Sequence, residues 1–171
     1  MILPFGPHTP TIAQDAYIAP DATVIGRVTI GAATSVWFQT VIRGDVHWIT
    51  IGDRCNIQDR CVVHVSTDTW PTILENSVTV GHSVTLHGCT LQHGCLIGMG
   101  SVIMDGAVVG RGAMIGAGSL VTPRTHIPDG VLALGHPCRV KRPLTENERE
   151  HVALHATRYV DLSKKYLAQS K

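Results

Sequence analysis

The chain has 171 residues, of which 44% are hydrophobic and 5% aromatic, and its net charge at pH 7 is +1. This length suits one domain, and the lack of a basic surplus or a run of like charges argues against nucleic-acid binding and disorder. We therefore expect one domain whose partner is a small molecule or another copy of the chain.

The N-terminal residues 1–10 lack the cationic and apolar regions of a signal peptide, and no stretch has the roughly 18 apolar residues of a membrane span. This predicts a cytoplasmic protein without a membrane partner. The cysteines are odd in number and form no C-x-x-C pair, which favours reduced thiols over disulfides or a zinc finger. They are Cys55, Cys61, Cys89, Cys95 and Cys138.

An aliphatic residue recurs at every sixth position through most of the chain, usually with a small or β-branched residue four places later. The spacing slips by three residues after Ile42, breaks at residues 66–72 and slips by one after Leu86. The aliphatic positions are Ile18, Val24, Ile30, Val36, Ile42, Ile51, Ile57, Val63, Leu74, Val80, Leu86, Leu91, Ile97, Ile103, Val109, Ile115, Val121 and Ile127.

A period of six fits neither an α-helix nor an isolated strand, but it suits a short strand and a corner, repeated. Three such sides close a triangular coil, and successive coils pair as neighbouring parallel strands do. A β-sandwich would show turns at more variable spacing. The sequence therefore predicts a mainly β fold: a left-handed parallel β-helix of about six triangular coils over residues 1–142, with an N-terminal extension.

Glycine often follows the aliphatic position. Because glycine tolerates backbone angles that other residues avoid, we expect these glycines to turn the corners of the coils. They are Gly31, Gly52, Gly81, Gly98, Gly110 and Gly116.

Residues 143–171 leave the repeat and predict a C-terminal α-helix. Thr145 and Glu148 have the spacing of a capping box, which starts a helix. We expect the helix to pack on the β-helix or on a neighbouring subunit through an apolar face. That face consists of Val152, Ala156, Tyr159, Val160 and Leu167.

Three of the ten histidines stand at informative positions in the repeat. His64 directly follows Val63 and His87 directly follows Leu86, and these aliphatic positions are three repeats apart. The two histidines should therefore stack on one side of adjacent coils, at ~4.8 Å between backbones. His82 follows its aliphatic position by two and falls on the neighbouring side, so a second chain would have to bring it to the stacked pair.

Stacked imidazoles can converge on one ion at the ~2.0–2.1 Å distance of a zinc–nitrogen bond. Each histidine alone would be an ordinary exposed residue, but three in this register predict a site for Zn²⁺. Three imidazoles with an open fourth position are typical of catalytic zinc, and Fe²⁺ or Co²⁺ would fit the same ligands. We assign no metal role to Cys89, because cysteines at the corners suit packing.

These residues and their neighbouring motifs resemble the γ-class carbonic anhydrase-like proteins of the left-handed β-helix superfamily, over nearly the whole chain. The resemblance implies a homotrimer with three metal sites at subunit interfaces. His64 and His87 would come from one chain and His82 from the next. The motifs are Ile42-Arg43-Gly44-Asp45, Asn56-Ile57-Gln58-Asp59, Val80-Gly81-His82-Ser83-Val84-Thr85-Leu86-His87-Gly88-Cys89 and Ile97-Gly98-Met99-Gly100.

The resemblance also implies roles for five further residues near the metal. Arg43 and Asp45 would lie at the site and the interface, with Arg43 available to bicarbonate or to a carboxylate such as Asp59. Gln58 and Asp59 would lie beside the metal, where Gln58 would hold a water molecule. Tyr159 would approach from the helix. Purely structural roles stay open for Arg43, Asp45 and Asp59.

Three departures from the archetypal enzyme of the family bear on activity. Val46 replaces a Glu, the short segment 65–72 replaces an acidic loop that supplies a proton-shuttling Glu, and Asp161 replaces an Asn. Hydration of CO₂ releases a proton that must leave before the next turnover. We therefore expect low or absent hydration activity unless Glu75, Asp68 or buffer carries the proton.

Four functions are consistent with this sequence. The first is reversible hydration of CO₂ to bicarbonate by hydroxide at the metal. The second is hydrolysis of acyl-CoA thioesters by the same hydroxide, and the third is acyl transfer, which usually needs a single His as base. The fourth is an inert scaffold whose metal ties subunits together.

Overall fold

The computed structural model describes residues 1–169. Within this range the chain forms 20 strands and one helix. The strands are β1 (Ile2–Leu3), β2 (Thr11–Ile12), β3 (Tyr17–Ile18), β4 (Thr23–Ile30), β5 (Ser35–Val36), β6 (Val41–Ile51), β7 (Asn56–Ile57), β8 (Val62–His64), β9 (Thr72–Leu74), β10 (Thr79–Val80), β11 (Thr85–His87), β12 (Thr90–Leu91), β13 (Leu96–Ile97), β14 (Val102–Ile103), β15 (Val108–Val109), β16 (Met114–Ile115), β17 (Leu120–Val121), β18 (His126–Ile127), β19 (Val131–Gly135) and β20 (Cys138–Pro143). The helix is α1 (Glu146–Gln169).

The strands wind into a prism with three faces, and the predicted left-handed parallel β-helix is confirmed. One face runs β6-β8-β11-β14-β17 and a second β6-β9-β12-β15-β18, joined because β6 continues round a corner. The third face runs β3-β5-β7-β10-β13-β16-β19 and ends on antiparallel β20. Its seven parallel strands give seven coils instead of about six, because β1, β2 and β19 extend the stack beyond Ile18 and Ile127.

The core is a stack of aliphatic side chains inside the prism. Ile42, Ile57, Leu86 and Ile103 are fully buried, as are their counterparts on the other coils except Ile18, which is partly buried. Burying one such side chain stabilises the fold by roughly 1.5–3 kcal/mol relative to exposure. Regular stacking of these residues therefore replaces the aromatic core that the composition lacks.

The prediction for the glycines after the aliphatic positions is wrong, because none of the six has a left-handed φ. A Cβ atom at Gly110 would lie 2.6 Å from the backbone nitrogen of Asp129 on the next coil. These glycines therefore allow close approach between coils. Most left-handed angles occur three residues before the aliphatic position, for example at Gly112 and Arg60.

Helix α1 begins at the predicted capping box. The backbone nitrogen of Thr145 donates to Oε2 of Glu148 at 2.8 Å, and the backbone nitrogen of Glu148 donates to Oγ1 of Thr145 at 3.3 Å. The helix packs on the third face, against β3, β5 and β7. Val152, Ala156 and Val160 are buried, and Val152 packs with Leu96 of β13 and Met114 of β16 on the same face. As the one helix among residues 1–169, α1 carries no apolar stretch that would let it cross a membrane.

Candidate metal centre

Four side chains form a column across four consecutive strands of the first face. Asp45 lies on β6, His64 on β8 and His87 on β11, and Asp105 follows β14. Nε2 of His64 donates to Oδ1 of Asp45 at 3.0 Å, and Nδ1 of His87 donates to Oδ1 of Asp105 at 2.7 Å. Between them, Nδ1 of His64 and Nε2 of His87 lie 3.2 Å apart. We call this set the histidine column.

The inner nitrogens of the histidine column suit a shared metal ion. Because the outer nitrogens donate to carboxylates, the inner nitrogens are the ring atoms left to act as ligands of one cation. Two nitrogens bound to one tetrahedral zinc at ~2.0–2.1 Å would lie roughly 3.3–3.4 Å apart. The observed 3.2 Å between His64 and His87 fits that geometry. One chain supplies no third ligand here, because residues 1–169 contain no group of three or more His, Cys, Asp or Glu able to hold a metal.

Arg43 and Asp45 stand two residues apart on β6, so their side chains project from the same side of the strand. The guanidinium of Arg43 is paired with the carboxylate of Asp45. Burial opposes ionisation of Asp45, but hydrogen bonds from His64 and Arg43 outweigh it and lower the pKa of Asp45 below its ordinary value. Asp45 is thus a carboxylate that ties Arg43 to the histidine column.

Asp105 was not among the residues predicted from the sequence. Its contact depends on the register of β11 and β14, in which Leu86 pairs with Ile103, so Asp105 lies beside Gly88 on the adjacent coil. A Cβ atom at Gly88 would lie 2.4 Å from Oδ1 of Asp105. Gly88 therefore leaves space for the Asp105 carboxylate, although a glycine alone predicts no such contact.

The third histidine lies on a different face with its own partners. His82 follows β10, and its Nδ1 lies 2.8 Å from Oδ2 of Asp59. A cavity of about 260 Å³ between this face and α1 is lined by His82, Gln58 and Tyr159. We call His82, Asp59, Gln58 and Tyr159 the His82 group. A larger groove, of about 660 Å³, lies beside the N-terminal half of α1 and includes none of them.

Hydrogen bonds and packing hold the His82 group in place. Nε2 of Gln58 donates to Oδ1 of Asn56 at 3.0 Å, and Gln58 is buried. Tyr159 packs edge-on against Trp37, with ring centroids 5.4 Å apart. Burial, with the negative charge of Asp59 nearby, raises the pKa of the Tyr159 phenol. Tyr159 is therefore a protonated hydroxyl at neutral pH.

Within one chain, Asp59 and Arg43 do not pair, and their pairing across a subunit interface stays a prediction. Arg43 pairs with Asp45 instead, and Asp59 pairs with His82. The reason is topological, because Arg43 lies on the first face and Asp59 follows β7 on the third. The predicted residues therefore form two separate sets, the histidine column with Arg43 and the His82 group.

Comparison with known proteins finds relatives that match along most of the chain. A sequence profile described as bacterial transferase hexapeptide (six repeats) matches residues 88–123. A carbonic anhydrase of Geobacillus kaustophilus is 49% identical over 98% of this chain and 92% of its own length. The mitochondrial gamma carbonic anhydrase 1 of Arabidopsis thaliana is 42% identical over 94% of this chain, which spans 60% of that protein's length.

Among solved structures, a Bacillus cereus protein described as a candidate acetyltransferase matches with a TM-score of 0.96 and 48% identity. The match covers 98% of this chain and 97% of that one. Proteins similar to this one over more than nine-tenths of their length thus carry two different activity names, carbonic anhydrase and acetyltransferase.

Proposed function

The chain belongs to the γ-class carbonic anhydrase-like family of hexapeptide-repeat proteins, and on this basis we propose that it is a metal-dependent enzyme interconverting CO₂ and bicarbonate. One observation carries the proposal. The chain presents two imidazoles at metal-ligand spacing on one face and a third, with its own carboxylate, on another. Each set is incomplete alone, and together they supply three histidines.

The proposed assembly is a homotrimer in which His82 of one chain meets His64 and His87 of the next. Exposed apolar side chains near both sets support an interface there. Val46 and Val62 lie on the strands of the histidine column, and Met99 lines the cavity of His82. Closed rotational symmetry would then repeat the same site at each contact between chains.

We propose Zn²⁺ as the metal, with Fe²⁺ or Co²⁺ as alternatives for the same ligands. A divalent ion held by three imidazoles supplies Lewis acidity, which makes water nucleophilic near neutral pH. Asp45 and Asp59 orient the rings of His64 and His82 through their outer nitrogens.

The other predicted residues act on substrate and water. Arg43 offers its planar cation to bicarbonate. Gln58 and Tyr159, held in the cavity of His82, offer hydrogen bonds to water or substrate. In this account the residues contacting substrate or water are Arg43, Gln58 and Tyr159.

Proton removal limits the rate in this account. Val46 is 37% exposed beside the histidine column, where the archetype has a carboxylate. A valine accepts no proton, so protons released by hydration must leave through water or buffer. We therefore expect slow hydration that accelerates with added imidazole buffer.

A second candidate function is hydrolysis or transfer of a small acyl group carried as a thioester. The cavity beside His82 favours it, because Leu96, Met99 and Met114 give that cavity apolar walls that CO₂ does not require. The acetyltransferase name of the Bacillus cereus protein also agrees with this function.

The test combines metal analysis with two assays on anaerobically purified protein. We expect about one metal ion per chain and measurable CO₂ hydration or acyl-CoA hydrolysis. His82→Ala should lose both the metal and the activity, because a site with two imidazoles binds far more weakly. His126→Ala, a change at an exposed histidine on β18, is the matched control and should change neither. Wild-type protein that stays metal-free and inert after reconstitution would refute the proposal.

A further inference from the structure

We propose that Asp105 is a positioning residue for the metal centre, acting through His87; this inference rests on the proposed function. Oδ1 of Asp105 accepts a hydrogen bond from Nδ1 of His87 at 2.7 Å. A metal-bound histidine commonly donates its other ring nitrogen to a carboxylate, which fixes the ring and makes it a better ligand. Asp105 occupies that place for His87.

Within the histidine column, Asp105 holds His87 as Asp45 holds His64. Asp45 contacts His64 from one neighbouring coil, and Asp105 contacts His87 from the opposite one. Each inner nitrogen is therefore free of its carboxylate and directed at the other ring. Without Asp105, no carboxylate holds the outer nitrogen of His87, and rotation of the ring would turn its inner nitrogen away from His64.

Gly88 and Gly106 leave space for the carboxylate of Asp105 and connect its loop to the adjacent coil. Gly88 has no side chain where Oδ1 of Asp105 lies, since a Cβ there would be 2.4 Å away. The backbone nitrogen of Gly106, the next residue, donates to the carbonyl of Gly88 at 2.7 Å. Trp70 lies against both glycines. The loop that carries Asp105 is thus tied to the strand end that carries His87.

The experiment measures metal affinity without relying on turnover. Metal-free wild type, Asp105→Ala and Asp105→Asn are titrated with Co²⁺, followed by visible absorbance and by competition with a chelator. We expect Asp105→Ala to weaken Co²⁺ binding by about 10–100-fold. Asp105→Asn should lose less, because its amide oxygen still accepts a hydrogen bond. Asp129→Ala is the control, since Asp129 accepts from the backbone of Arg111 at another corner.

Thermal unfolding of the metal-free proteins separates positioning from a structural role. Positioning predicts similar melting temperatures for wild type and Asp105→Asn, with different affinities. Equal affinity in wild type and both Asp105 variants would overturn the inference while leaving the proposed metal site intact. A wild type that binds no Co²⁺ would instead overturn the proposed function, and this inference with it.

Discussion

At the scale of single residues, the five cysteines are free, buried thiols, as the sequence predicted. Burial raises the pKa of Cys55, Cys61 and Cys89 to about 12, from an ordinary value of 9.0. Sγ of Cys61 also donates to the carbonyl oxygen of Gly81 at 3.1 Å. The folded protein therefore keeps these thiols protonated well above the pH at which the unfolded chain loses them.

This difference predicts alkaline destabilisation. Below pH 9 both states are protonated and the contribution of each thiol to stability is fully present; as pH rises towards about 12 it is lost. Each buried thiol should lower the free energy of unfolding by about 1.4 kcal/mol per pH unit in that window. Urea unfolding between pH 8 and 10.5 checks this. Cys61→Ala should make the free energy of unfolding fall less steeply with pH, by the contribution of one thiol. An unchanged dependence on pH would contradict the account.

Sequence reasoning placed the histidines but not all of their partners. The six-residue period fixes which side of the prism a residue occupies, so His64 and His87 could be stacked by counting. Asp105 lies 18 residues beyond His87, and Asp45 lies 19 residues before His64. Such contacts between coils depend on local offsets at the corners, which a period alone does not determine. Asp45 was found only through the motif that contains it.

At the scale of elements, two kinds of glycine serve the corners of the coils. Gly110 has ordinary backbone angles, but a Cβ there would lie 2.6 Å from backbone atoms of Pro128 and Asp129. Gly112 has φ +58°, and a Cβ there would meet nothing within 4 Å. The repeat showed where glycines recur but not which of these two reasons applies, because φ and coil spacing are three-dimensional properties.

The two glycines should respond differently to the same substitution. Gly112→Ala should cost about 1–2 kcal/mol of unfolding free energy, the penalty of a left-handed alanine. Gly110→Ala should cost about 3 kcal/mol or more, because the backbone of the next coil must move. Chemical denaturation of both variants measures the difference. Equal costs, or a larger cost at Gly112, would show that spacing between coils is not the constraint at Gly110.

At the scale of the whole molecule, the fold explains why the three histidines fall into two separate sets within one chain. A prism with flat faces displays residues of different faces in different directions, so the histidine column and the His82 group diverge. A second copy can present its His82 group to the column of the first. In this account, metal binding requires assembly of the chains. The fold itself was predictable, because the six-residue period of aliphatic residues can be counted in the sequence.

The most direct test of this central claim mixes two inactive variants, His64→Ala and His82→Ala. Each alone should bind no metal tightly, since every site lacks one imidazole. Random co-assembly makes about three quarters of the trimers mixed, and each mixed trimer holds one intact site of three, so metal content should recover to about one quarter of wild type. A mixture that stays metal-free while its trimers are mixed, or a His82→Ala protein with wild-type metal content, would contradict the account.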